Sequence, residues 1–227
     1  MHSLMQAIES RENTYCVIIN STGVHGDARV NQLFQDFSHP QCMMIDMPFN
    51  TGQTLASKFF FQTYITETTL PKTVLSVDPD VLFSPDSFNY LVQASEALPQ
   101  CGMIGMRYKK NSCNPERNIV FKPKRLTGQD KNDYAITCPF MCTVAGPVFA
   151  VSGHKLWHEC QNRLFPSDRV FIYGGADSSL YAKLRWRYYN GYLEGTTATH
   201  LQSNGKRPEN IPSLLQAAGL IDYDKII

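Results

Sequence analysis

Two aspartates two positions apart, Asp78-Pro79-Asp80, follow directly on the apolar run Thr73–Val77. In an extended chain residues i and i+2 point to one side, so both carboxylates face the same space. Hard oxygen ligands of this kind suit Mg2+ or Mn2+, which complete their coordination with substrate phosphates and neutralise charge on a diphosphate. His200, in Thr199-His200-Leu201, offers an imidazole able to complete a carboxylate site for Mn2+. Asp177 follows Gly174-Gly175-Ala176 and opens a helical stretch. There it can act as a general base or serve only as a cap. An Asp-Pro turn is the competing account of the first motif. A second constellation is His154-x-x-x-His158 with Cys160, two histidines on one helix face that could bind zinc. No Glu follows the first His, and Cys138-x-x-x-Cys142 supplies no matching second cluster.

These residues need elements to hold them. Residues 15–20, 42–47, 73–77 and 101–106 read as buried strands, short and apolar. Between them lie helical spacings over residues 28–37, 52–66 and 87–97. In the second, Leu55, Phe59 and Ile65 are expected on one face; the third is expected to be capped by Ser84 or Asp86. Strands alternating with helices over the first 106 residues describe a doubly wound α/β sheet. In such sheets ligands sit outside the carboxyl ends of the strands. Asn20, Asp46, Asp78 and Asp80 all fall at such ends, which is a site signal. Residues 107–140 read as a basic loop or insertion. Residues 143–151 then read as a strand, 154–164 as a helix, 178–190 as a helix closed by Gly191, and 192–200 as a last extended run. A short helix is expected near the end, in 211–227.

The chain has 227 residues, 43% of them hydrophobic and 18% charged, the composition of one globular α/β domain. The net charge of +1 excludes a protein that is basic throughout. The distribution is uneven: residues 1–106 carry −6, 107–131 carry +6 and 132–227 carry +1. Seven cysteines, odd in number and irregularly spaced, read as reduced thiols in a cytoplasmic protein. No run approaches the length of a membrane span, and the first residues have no leader pattern.

The order and spacing of these motifs resemble the GT-A glycosyltransferases, particularly the family-2-like type, over about residues 15–201. Asn50-Thr51-Gly52 resembles that family's Asn-x-Gly segment, and Val74–Val81 (VLSVDPDV) its strand with a DxD motif. The GPVFAVS of residues 146–152 resembles its small-residue strand. The GGADSSLYAKLRWRYYNG of residues 174–191 resembles its Gly-Glu-Asp block, with Ala176 in place of Glu and Ser179 where Asp is frequent. The resemblance implies a single GT-A domain with a mixed, Rossmann-like central sheet flanked by helices. Its halves would be a nucleotide-sugar half (15–106) and an acceptor half (141–227), joined by the basic segment.

The same resemblance implies a metal-dependent transfer from a UDP- or GDP-linked sugar to an acceptor hydroxyl. Asn20, Ser21, Asp46 and Asn50 would lie by the nucleotide. Asp78 would contact ribose or the metal-bound nucleotide, Asp80 would bind Mn2+ or Mg2+, and His200 would be a further ligand. Asp177 would be the base of an inverting reaction, and Arg185 or Lys206 would stabilise the leaving diphosphate. The basic segment 107–131, interleaved with Tyr108 and Phe121 and followed by Tyr134, suits a polyanionic acceptor. That makes a DNA-modifying glycosyltransferase of the kind phages carry one reading; a lid over the donor diphosphate is the plainer one. A sugar-nucleotidyltransferase and a non-catalytic binding module with this fold are the alternatives. The former wants an Arg-bearing Gly-rich loop after the first strand; residues 21–27 have none, and one Arg follows at Arg29.

Overall fold

In the computed structural model, residues 2–20, 32, 37–47, 51–108, 123–138, 144, 148–167 and 176–201 are described. The expected helices at 28–37 and 211–227 fall wholly or mainly outside them, as do Ser21, Asn50 and Lys206. The chain begins with helix α1 (His2–Glu9), which the sequence reading did not foresee. Strands β1 (Cys16–Asn20) and β2 (Cys42–Asp46) follow, then helix α2 (Gly52–Tyr64). Strand β3 (Thr73–Val77), the turn bearing Asp78 and Asp80, β4 (Val81–Phe83) and helix α3 (Pro85–Ala97) come next. Ser84 caps α3, its Oγ accepting from the Ser87 amide at 3.2 Å, a contact worth about 1 kcal/mol.

β5 (Cys101–Tyr108), β6 (Lys124–Thr127), β7 (Asp133–Thr137) and β8 (Val148–Ser152) follow in sequence. Helices α4 (Gly153–His158) and α5 (Ala176–Leu184) and strand β9 (Tyr189–His200) complete the described chain. The large sheet runs β3-β8-β5-β9-β7-β6, with β4 on the far half of β9, and β1 and β2 form a separate parallel pair. Among the described strands, only β5 and β9 pair in parallel in the large sheet. The sheet is therefore mixed, as the resemblance implied, and not the fully parallel winding that alternating strands and helices suggest.

Alternation along the strands sorts the core onto two faces. Val148 and Ala150 of β8, with Ile104, Met106, Leu193 and Ala198, pack under Phe88, Leu91 and Ala94 of α3. Phe149 and Val151, with Met103 and Tyr192, pack under Leu156 of α4 and Ala176, Leu180 and Leu184 of α5, joined by Phe61 of α2. α2 turns differently from the expected face. Thr54, Ala56, Ser57 and Phe61 are buried while Phe59 is 41% exposed. Its inner stripe is made of small residues that let the helix approach closely, and its remaining aromatics stack on each other, Phe60 against Tyr64 at 5.6 Å.

Two further expectations give way. Residues 124–137 are an ordered hairpin, not a loop. Its tip is pinned to α3 by the Gln129 amide donating to the Ala97 carbonyl at 2.8 Å and by Tyr134 stacked on Tyr90 at 5.6 Å. The helix expected over 178–190 ends at Leu184, and Gly191 is not its cap. Gly191 lies inside β9, where a Cβ would come within 2.4 Å of the Thr137 carbonyl oxygen. The helix expected over 154–164 likewise stops at His158.

Candidate functional site

Asn20, Asp46, Asp78, Asp80 and His200 fall at or just beyond carboxyl ends of strands. At the ends of β1 and β2, Asn20 Nδ2 donates to Asp46 Oδ1 at 2.8 Å, and the Met47 amide donates to the Asn20 carbonyl at 3.0 Å. Asn20 is buried while Asp46 is exposed, so the asparagine orients a carboxylate that still faces solvent. At the end of β3, Asp78 is half-buried and accepts from Gln53 Nε2 at 3.4 Å. Gln53 lies in the first turn of α2, just after Gly52, whose φ of 62° is one that glycine adopts without strain. Beside it, Thr51 is buried, and its Oγ1 has no hydrogen-bond partner among the described residues. Gln53 is the site residue that the sequence reading missed; only its place immediately after Asn-Thr-Gly could have flagged it.

Asp80 and His200 come together through strand pairing. β4 lies antiparallel to the end of β9 with Val81 opposite His200, and the Leu201 amide donates to the Asp80 carbonyl at 2.8 Å. Two residues 120 positions apart in the chain are thus backbone neighbours. β3, β5 and β9 run in the same direction, because β8 is antiparallel to both β3 and β5 while β9 is parallel to β5. Their carboxyl ends share one edge of the sheet, and the Asp78–Asp80 turn and His200 stand on it.

Asp177 sits in the first turn of α5, half-buried, its Oδ1 accepting from the Ser178 amide at 2.9 Å. Ser179 Oγ donates to the Ala176 carbonyl at 2.6 Å, so this hydroxyl is tied into its own helix. Leu184, at the other end of α5, abuts Gly102 near the start of β5, which leaves Asp177 at the end of the helix farther from that start.

Several candidates lie elsewhere. Arg185 is not beside the edge that bears Asp78, Asp80 and His200. It stacks on Trp186, with its guanidinium carbon 4.5 Å from the ring centroid, in the turn before β9 and hence at the opposite end of that strand from His200. Arg107, counted with the basic segment, is spent on Glu194, to which its Nη1 donates at 2.9 and 2.8 Å. The rings of His154 and His158 lie 4.2 Å apart on α4, tilted at 47° to each other. Cys160, their expected companion, is fully buried, and burial pushes its thiol up to about 12. Among the described residues, no group of three His, Cys, Asp or Glu is set to hold a metal ion. The five described cysteines are free, and no described helix is long and apolar enough to cross a membrane.

No family model matches the sequence, and no curated protein matches it. Among solved structures, the fold is similar to that of GalNAc-T7 with UDP, GalNAc and Mn2+, with a TM-score of 0.51 at 10% identity. The alignment covers 97% of this chain and 46% of that one, so the chain spans about half the length of that structure. At this identity the likeness is one of fold: the chain has the GT-A glycosyltransferase fold, a mixed α/β sheet flanked by helices in a single domain.

Proposed function

We propose that the chain transfers a sugar from a nucleotide-diphosphate donor to an acceptor hydroxyl, bound to the donor through the carboxyl edge of the sheet. The observation that carries this reading is the β4–β9 register, which joins the Asp78–Asp80 turn to His200 in a GT-A fold. Carboxylate oxygens from that turn and an imidazole from the neighbouring strand are ligand types that Mn2+ accepts, with the donor's phosphates completing the coordination. Asp80 and His200 would hold the ion, which supplies charge neutralisation for the departing diphosphate.

The chain's own residues do the rest. Asp46, oriented by Asn20, and Asp78, oriented by Gln53, bind the nucleoside. Ser21 and Asn50, adjacent in sequence to Asn20 and Thr51, are the further proposed nucleotide contacts, and the proposed nucleotide-sugar half is 15–106. Asp177 accepts the acceptor's hydroxyl proton as that oxygen attacks the anomeric carbon from the face opposite the leaving group, giving inversion. The free, buried thiols fit a reducing, cytoplasmic setting.

Titration calorimetry with UDP and GDP, with and without Mn2+, tests the donor reading. Metal-dependent binding of one nucleotide, abolished in Asp80→Ala, is the expected result. Absence of binding to both nucleotides would overturn it. Binding without diphosphate release from any nucleotide sugar would assign the chain as a non-catalytic module instead.

A further inference from the structure

The turn joining α5 to β9 carries an unusual surface. Lys183, Arg185, Trp186, Arg187 and Tyr189 are all exposed. Trp186 is 81% exposed and Tyr189 40%, although large aromatics normally seek burial. Each ring already has a cation on it. The Arg185 guanidinium lies 4.5 Å from the Trp186 centroid, and the Lys124 ammonium from β6 lies 3.7 Å from the Tyr189 centroid. Lys124 also donates to the Tyr189 hydroxyl.

The platform is rigid. The Tyr188 and Arg187 amides donate to the Leu184 carbonyl at 3.1 and 3.2 Å, and the Tyr189 amide donates to the Gln100 carbonyl at 3.0 Å. Asn190, buried directly behind, donates from Nδ2 to the Tyr188 carbonyl at 2.8 Å. Arg187 is neutralised by Glu159 at 2.6 Å. Lys183, Arg185 and Lys124 have no carboxylate partner among the described residues.

We infer that this surface binds a single strand of nucleic acid. Stacking needs an exposed π-face held in place, and a strand's backbone needs cations beside it. The turn offers Trp186 and Tyr189 with one face each already supported by a cation, and Lys183, Arg185 and Lys124 as phosphate partners. The pre-ordered turn reduces the entropy cost of binding.

A lipid surface fits less well. Interfacial binding draws on buried apolar area, yet the one large aliphatic residue among 183–189, Leu184, is fully buried. The inference is independent of the donor-side reading, because the turn lies at the opposite end of β9 from His200. Eight residues of β5 span that length, on the order of 25 Å.

The test is fluorescence anisotropy with a labelled oligothymidylate of about 20 nucleotides, at about 50 and 200 mM NaCl. Vesicles of phosphatidylserine and phosphatidylcholine and an inorganic polyphosphate serve as the other arms. Salt-sensitive binding to the oligonucleotide is expected, weakened about tenfold by Trp186→Ala. Arg185→Ala should lower the slope of log affinity against log salt by about one. Trp186 is so exposed that its variant keeps the fold, which circular dichroism checks.

No binding to the oligonucleotide at low salt would overturn the inference. So would equal binding of oligonucleotide and polyphosphate that Trp186→Ala leaves unchanged. Trp186-dependent binding to vesicles alone would assign the surface to lipid instead. Calorimetry with UDP on the same variant reports separately on the donor site.

Discussion

Asn190→Ala tests how the far end of the sheet is built. Between β5 and β9 the register shifts: Cys101 faces Tyr189, but Ile104 faces Gly191. The one extra β5 residue leaves a gap in the backbone ladder, and the Asn190 side chain fills it. Its Oδ1 accepts from the Met103 amide at 2.7 Å, and its Nδ2 donates to the Tyr188 carbonyl at 2.8 Å. Met103 is fully buried, so no water can take over that amide. Removing the acceptor leaves an orphaned buried donor, which costs about 1–3 kcal/mol, and the second bond adds about 1 kcal/mol.

The expected loss is therefore about 2–4 kcal/mol, or a Tm lower by about 5–15 °C for a chain of this size. Urea unfolding followed by circular dichroism should show a lower midpoint with an unchanged slope. Gly102 supplies an internal control, because a Cβ there would come within 2.5 Å of Asn190 Oδ1. Gly102→Ala should therefore remove the same hydrogen bond, and the double variant should be much less destabilised than the sum of the singles. A loss below about 0.5 kcal/mol for Asn190→Ala, or strict additivity with Gly102→Ala, would refute the argument.

On the proposed function, Asp177→Asn should abolish turnover while calorimetry shows UDP binding nearly intact, since the change removes the proposed base and leaves the Asp78–Asp80 turn; normal turnover would refute the inverting assignment. Asp130, hydrogen-bonded first by Tyr134 and then by Asn132 and Gln93, is held down from 3.8 to about 2. A depressed carboxyl stabilises the fold above its ordinary value and loses that contribution as pH falls toward its folded value. The Tm gap between the parent and Tyr134→Phe should therefore be constant above pH 5 and shrink between about 4 and 2; a gap independent of pH would sink the reasoning. Burial pushes the thiols of Cys16, Cys101 and Cys160 up to about 12. In an Ellman titration at pH 8 these three should react only after unfolding, and prompt labelling of any of them in the native protein would contradict their burial.

Much of the scaffold is legible in the sequence. β1, β2, β3 and β5 are continuous apolar runs with turn chemistry at both ends, and Ser84 announces the start of α3. The failures have local causes. The β6–β7 hairpin does alternate, with Leu126, Tyr134 and Ile136 inward. Its outward positions are so charged that the segment reads as a basic loop, and its turn closes on Lys131 at a φ of 65°, not on an Asn-Gly pair. α5 stops early because Tyr189 and Asn190 are claimed by β5, a tertiary pairing that helical periodicity cannot foresee. The strand ends bearing Asn20, Asp46, Asp78 and Asp80 were legible. The partner that orients Asp78, Gln53, was not, because a side-chain contact between a helix start and a strand end leaves no period in the sequence.

Charge counted along the chain also misplaces the cationic surface. Of the eight basic residues in 107–131, Arg107 is bound to both oxygens of Glu194, which also accepts from Thr137 Oγ1 at 2.5 Å. That knot fastens β5 and β7 to β9 where the β5–β9 register shifts after Leu193, so its positive charge serves the fold. Lys124 sits on Tyr189 and thereby joins the segment to the turn that carries Lys183, Arg185 and Trp186. The strand-binding surface is consequently assembled across two segments whose separate charges are +6 and +1, with its aromatic members supplied by the less basic one. A nucleic-acid strand held there would lie at the opposite end of β9 from the Asp80–His200 edge. Trp186→Ala and Asp80→Ala should therefore impair strand binding and nucleotide binding independently, and a loss of both in either variant would mean that the two ends are one site.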